Sequence, residues 1–235
     1  MQIVTKRVRF VEKPLPYVTQ GLIAMWDAEW NRHCGLHSAG HGKLTELCRT
    51  GNDLIIDSAY GELHHQFLHC SGLGIAAAGS AELPAFDKQQ IEIVFRYIAK
   101  GNVVTNFNLV DLYRGPQYVN DRFYRRFSLY VRTDVHIGFS SQSGTNLAPF
   151  ANRINSVSVS CDITNGIKSF ATTLYANGDP PIVLSQMPGC STPPVVPTLG
   201  ASAQCDIYSI RIYNRQLDTR EISHNYNLDK MRFDL

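Results

Sequence analysis

Apolar side chains recur at every second position, and this constrains the chain more than any other feature. Phe127-Ser-Leu-Tyr-Val-Arg, Ser156-Val-Ser-Val-Ser and Ile207-Tyr-Ser-Ile-Arg-Ile-Tyr each alternate over five to seven residues. Side chains on a β-strand point to opposite faces in turn, so this spacing sends one face to a core and the other outward. Ile91-Glu-Ile-Val-Phe-Arg-Tyr-Ile is more apolar and reads as a more deeply buried strand. Turn markers separate the runs: Asn52-Asp53, Gly101-Asn102, Arg114-Gly115-Pro116, Asn165-Gly166 and Asn177-Gly178. Short strands punctuated in this way build a sandwich or a barrel.

No helix-length pattern interrupts the strands before the C-terminus. There Asp218 stands where a helix cap belongs, with Glu221 three residues on, and Ile222, Tyr226, Lys230 and Met231 follow at helical spacing. A helix over about residues 219–230, packing one face on the sandwich, is predicted. The proline-rich stretch 187–200 reads as a surface loop joining two strands of one domain. Residues 1–16 read as an arm that Pro14 and Pro16 hold extended, and residues 17–235 as the domain.

Composition narrows the function classes. A net charge of +2 over 235 residues gives no strongly basic face, so nucleic acid is not an expected partner. The first residues carry no apolar run of the secretory kind, and Leu22 to Trp26 is too short to span a membrane. The expectation is a soluble chain made in the cytoplasm without a signal peptide. Six cysteines without compact spacing read as free thiols.

Three stretches together resemble the concanavalin A-like, laminin-G-like jelly rolls of bacterial and phage proteins. Gly21-Leu-Ile-Ala-Met-Trp-Asp is similar to the opening strand of that family, and Leu174-Tyr-Ala-Asn-Gly to its hairpin. The most specific stretch, Asp206-Ile-Tyr-Ser-Ile-Arg-Ile-Tyr-Asn-Arg-Gln-Leu-Asp-Thr-Arg-Glu-Ile, resembles its last strand and the short helix after it. The resemblance implies an all-β, two-sheet antiparallel jelly-roll sandwich with a short C-terminal helix. It also implies binding and structural roles: sugar recognition, adhesion, and phage appendages. Glycosidases of this fold place two carboxylates on one strand, whereas Glu92 is the single carboxylate of Ile91-Glu-Ile-Val-Phe-Arg. Many relatives hold a structural calcium on acidic residues of the last strand. Tyr208 and Ser209 stand at those positions and offer no carboxylate, so no cofactor is expected.

Several clusters invite chemistry. His33, Cys34, His37, His41 and Cys48 carry zinc-ligand chemistry, with His33, His37 and His41 the metal candidates, but the glycines among them read as a polar surface loop. His65 and His69 would share one face of an extended strand and His64 the other. Tyr118, Arg122 and Tyr124 lie in the densest aromatic and basic run and are ligand candidates, since rings stack on sugars and guanidinium forks bind anions. Trp26 reads as core, and Trp30, in a polar loop, as an exposed stacking residue. The chain reads as a non-enzymatic, lectin-like sandwich serving as a virion or appendage protein of a phage or prophage. The alternatives are a glycan-binding module and a metal-dependent hydrolase. Its expected partners are glycans or other particle subunits, and the half-apolar arm suggests a homo-oligomer.

Overall fold

The computed structural model describes residues 17–36, 42–48, 50–84, 88–98, 106–112, 118–119, 122–123, 127–132, 136–139, 152–162, 170–187, 196–200 and 204–235. The arm, His37, His41 and Tyr124 therefore lie outside the described residues. In chain order the elements begin with β1 (Leu22–Asp27), α1 (Ala28–His33), β2 (Lys43–Leu44), β3 (Leu54–Ile56), β4 (Gly61–Leu63) and β5 (Leu68–Ser71). Next come β6 (Ala77–Gly79), β7 (Lys88–Tyr97), β8 (Asn106–Leu112), β9 (Tyr118–Val119), β10 (Arg122–Phe123) and β11 (Phe127–Arg132). The chain closes with β12 (His136–Phe139), β13 (Ile154–Asp162), β14 (Phe170–Ala176), β15 (Ile182–Met187), β16 (Pro197–Leu199), β17 (Gln204–Tyr213) and α2 (Thr219–Phe233).

Among the described residues the strands form two large antiparallel sheets and a two-stranded β9–β10 ribbon. The first runs β15-β14-β13-β7-β17-β5-β4, and β1 joins it beside the second half of β17. The second runs β12-β11-β8-β16-β6-β3-β2. On β17, residues 204–207 pair with β5 and residues 209–213 pair with β1, so two short strands share one edge of a long one. A register shift between Ile207 and Ser209 against β7 bulges the strand at Tyr208.

The predicted alternation places the core. Ile91, Ile93 and Phe95 of β7, Val157 and Val159 of β13, and Ile207, Ile210 and Ile212 of β17 join Leu44, Leu54, Ala77 and Leu199 of the second sheet in one buried cluster. Burying each large aliphatic or aromatic side chain contributes about 1.5–3 kcal/mol relative to leaving it in water. Trp26 is in this core as expected, 1% exposed, and its ring nitrogen donates to the Asn52 carbonyl at 2.8 Å.

Three local expectations are corrected. Residues 28–33 form α1 rather than a loop, because Asp27 caps it by accepting from the Trp30 amide. Residues 61–71 are a hairpin, not one strand, and the His64 amide donates to the Phe67 carbonyl across its turn. Within the stretch read as a loop, Pro197–Leu199 forms β16 and bridges β6 and β8.

The helix matches its predicted start and extends to Phe233, with both halves of the capping box formed between Asp218 and Glu221. Its buried face is Ile222, Asn225, Asp229 and Phe233, whereas Lys230 and Met231 are exposed. The polar pair at the centre of that face was not anticipated, and it organises the site.

Candidate functional site

The face of the first sheet that turns away from the core is polar: Gln90 and Glu92 on β7, Ser156 and Ser158 on β13, Arg211 on β17. In a two-layer sandwich such residues meet water. Here α2 lies over them, and all five are buried. Buried charges need partners. The Arg211 guanidinium supplies them, with Nε donating to Glu92 Oε2 at 2.8 Å and Nη1 and Nη2 to the two Asp229 oxygens at 2.8 and 2.7 Å. Ser156 donates to Asp229 Oδ2 at 2.8 Å, Tyr17 to Asp229 Oδ1 at 2.8 Å, and Asn225 to Glu92 Oε2 at 2.8 Å. The Tyr17 ring lies 4.1 Å from the guanidinium carbon of Arg211.

Electrostatics inside this cluster pull in opposite directions. Burial pushes the Glu92 carboxyl above its ordinary range and Asp229 adds to the shift, while Arg211 opposes both. Burial works against the charge on Arg211, but Asp229 and Glu92 outweigh it and hold the guanidinium firmly protonated. A second cation, Arg232, grips Asp27 at 2.9 and 3.0 Å and donates to the Tyr17 hydroxyl at 2.7 Å. Together these contacts clamp the end of α2 to β1 and β17.

Beside the clamp, between the first turns of α2 and the β13–β14 strand pair, lies a cavity of about 430 Å³. Glu92, Ser156 and Ser158 line it on the sheet side, Tyr175 and Asp179 on the hairpin side, and Tyr226 on the helix side. The hairpin is shaped by Asn177 and Gly178, whose φ values of 50° and 80° make the left-handed turn expected of this pair. Asn177 ties the turn to the sheet, accepting from the Ser156 amide at 2.9 Å. Gly178 lies under the Tyr226 ring so closely that a Cβ would come within 2.5 Å of it. This size falls among small-molecule sites, at the end suited to one sugar ring.

The residues singled out by sequence lie elsewhere. Trp30 is half-buried on α1 rather than exposed on a loop, its ring 5.7 Å from the Arg232 guanidinium carbon. Tyr118 and Arg122 sit on a two-stranded ribbon in which Tyr118 pairs with Phe123 and Arg122 with Val119. His33 is exposed at the end of α1. His64 stacks on Phe67 at 4.7 Å, and His69 Nδ1 lies 2.7 Å from Asp206, which also accepts from Arg96. Among the described residues, no three His, Cys, Asp or Glu are grouped to hold a metal. Cys34, Cys48, Cys70 and Cys205 are free thiols. No described helix is long and apolar enough to cross a membrane.

Of the cavity residues, sequence reading noted Glu92, the Asn177-Gly178 turn and Tyr226, but not the site they form. The available signal was charge inside strands. Glu92 and Arg211 interrupt two of the most apolar runs, and charges there require a covering layer with partners of its own.

Neither a family model nor a curated protein matches the sequence. Among solved structures the chain is similar to the Trypanosoma rangeli sialidase, with a TM-score of 0.62 and 13% identity over 92% of this chain and 34% of that one. It is also similar to the receptor binding domain of botulinum neurotoxin type G, with a TM-score of 0.51 and 12% identity over 89% of this chain and 52% of that one. At such identities the likeness shows the fold alone. Strand order, core and neighbours agree on a two-sheet antiparallel sandwich with a short C-terminal helix, the architecture expected from the alternation and the resemblance.

Proposed function

We propose that the chain is a non-enzymatic, lectin-like module that binds a saccharide in the cavity between the β14–β15 turn and α2. The observation that carries this reading is the wall itself: two tyrosine rings, Tyr175 and Tyr226, beside the hydroxyls of Ser156 and Ser158. Tyrosine faces stack on the C–H faces of sugar rings, and buried acceptors order their hydroxyls. The bonding of the two buried carboxylates supports the non-enzymatic reading. Both Asp229 oxygens are held by Arg211 and Glu92 Oε2 by Arg211 and Asn225, which leaves Glu92 Oε1 as the one loosely held acceptor of this pair, without a second free carboxylate oxygen of the pair beside it to serve as acid. A glycan array probed with the wild type and with Tyr226→Ala tests the reading. Binding that is lost in the variant is expected, and an array on which the wild type binds nothing would overturn it.

The same proposal places the module in a virion or appendage particle of a phage or prophage, on the strength of the resemblance in residues 206–222 and the half-apolar arm. Removing residues 1–16 should lower the oligomeric mass seen by light scattering. An unchanged mass, or a monomer at full length, would contradict the arm's part in assembly.

A further inference from the structure

We infer that the cavity selects a sugar bearing a free, protonated amine, an unacetylated hexosamine, with the ammonium held by Glu92. The inference rests on the cavity being a saccharide site and concerns which saccharide it takes.

The first observation is the charge of the wall. Among the described residues, those that line the cavity include two carboxylates, Glu92 and Asp179, and no lysine, arginine or histidine. Arg153 acts on Tyr226 through space but is not part of the lining. An acidic sugar would thus bring its carboxylate to a wall whose described residues supply two negative groups and no cation.

The second observation is the charge balance of the buried cluster behind the wall. Glu92 and Asp229 share one guanidinium, so the group carries one negative charge in excess when both acids are ionised. Asp229 spends both oxygens on Arg211, Ser156 and Tyr17. Glu92 is different. Its Oε2 is held by Arg211 and Asn225, but among the described residues its Oε1 accepts only from Ser158, at a long 3.2 Å. Glu92 is 2% exposed and still lines the cavity, so this acceptor is available to an occupant and to little solvent. A buried carboxylate with a free acceptor position is best satisfied by a charge-assisted donor.

The third observation is the aromatic wall. Tyr175 and Tyr226 line the cavity, and tyrosine rings favour a positively charged ring substituent through their quadrupoles, in addition to stacking on the C–H face. An ammonium satisfies all three features. A neutral hydroxyl satisfies the acceptor alone, and an acetamido group, which is bulkier and uncharged, gains nothing from the excess charge.

The test is a saturation-transfer NMR titration of the full chain, at a pH where the amine is protonated. Its panel comprises glucosamine, galactosamine and mannosamine, their N-acetyl forms, the parent hexoses and N-acetylneuraminic acid. At least one hexosamine should bind about tenfold or more tightly than its N-acetyl form and its parent hexose. N-acetylneuraminic acid should bind most weakly, and the hexosamine's advantage should disappear in Glu92→Gln. Should Glu92→Gln fail to fold, Asp179→Asn on the exposed hairpin provides the same readout, with a loss of about two- to threefold in hexosamine affinity. If neutral or N-acetylated sugars bind as well as the amines, or if N-acetylneuraminic acid binds best, the amine assignment is wrong while the saccharide site stands. If no sugar binds and Tyr226→Ala changes nothing, the site itself is wrong.

Discussion

Arg211 is the residue on which the covered face of the sheet depends. It bridges β17, β7 and α2, and its side chain is 1% exposed against partners at 3% and 0%. Removing one partner of such a group leaves the others as uncompensated buried charge, which costs far more than the pair contributes when intact. Arg211→Met should lower stability by about 3–5 kcal/mol, measured by urea unfolding at neutral pH. The loss should shrink in acid. The folded-state pKa of Glu92 is raised, so its contribution to stability is fully present below its unfolded value and is lost as pH rises through the folded one. Acid therefore relieves the charge that the variant leaves stranded. A loss that is equal or larger in acid would contradict the assignment of Arg211 as the neutralising group.

Among the elements, the β14–β15 turn and α2 define the cavity because each is fixed independently. The helix start is held by the capping box and by Arg215, which meets Glu221 with two bonds at 2.7 and 2.5 Å. The hydrogen bond from Arg215 holds the Glu221 carboxyl below its ordinary range. The turn is held by Asn177 and by the contact of Gly178 with Tyr226. At φ 80° a side chain is strained even in open space, and here the space is filled. Gly178→Ala should cost about 1–2 kcal/mol and, by displacing Tyr226, weaken glycan binding. Thermal melts together with binding of the array glycan check both effects. A variant that loses stability but binds normally would separate the turn from the site.

At the scale of the whole molecule, the architecture was legible in the sequence and the site was not, for a physical reason. Alternation reports which residues leave the core, so Ile91, Val157 and Ile210 could be placed from spacing alone. It does not report what the opposite face meets. Ser156, Ser158 and Glu92 look like solvent-facing positions until α2 is laid over them, and that contact joins residues as far apart as Ser156 and Asp229 or Glu92 and Asn225. The same limit misplaced Trp30, since the cap that turns residues 28–33 into a helix is a single aspartate at the end of an apolar strand. The histidine clusters drew attention by composition, yet His64 and His69 are occupied by Phe67 and Asp206 at the far end of the sheet from the hairpin. The central claim is that recognition occurs at the hairpin–helix cavity. It is tested most directly by mapping amide chemical-shift changes in isotope-labelled protein titrated with the array's tightest glycan. Changes centred on Ser156–Ser158, Tyr175–Asp179 and Thr219–Asn227 are predicted, and changes centred instead on the β9–β10 ribbon or on His64–His69 would contradict the account.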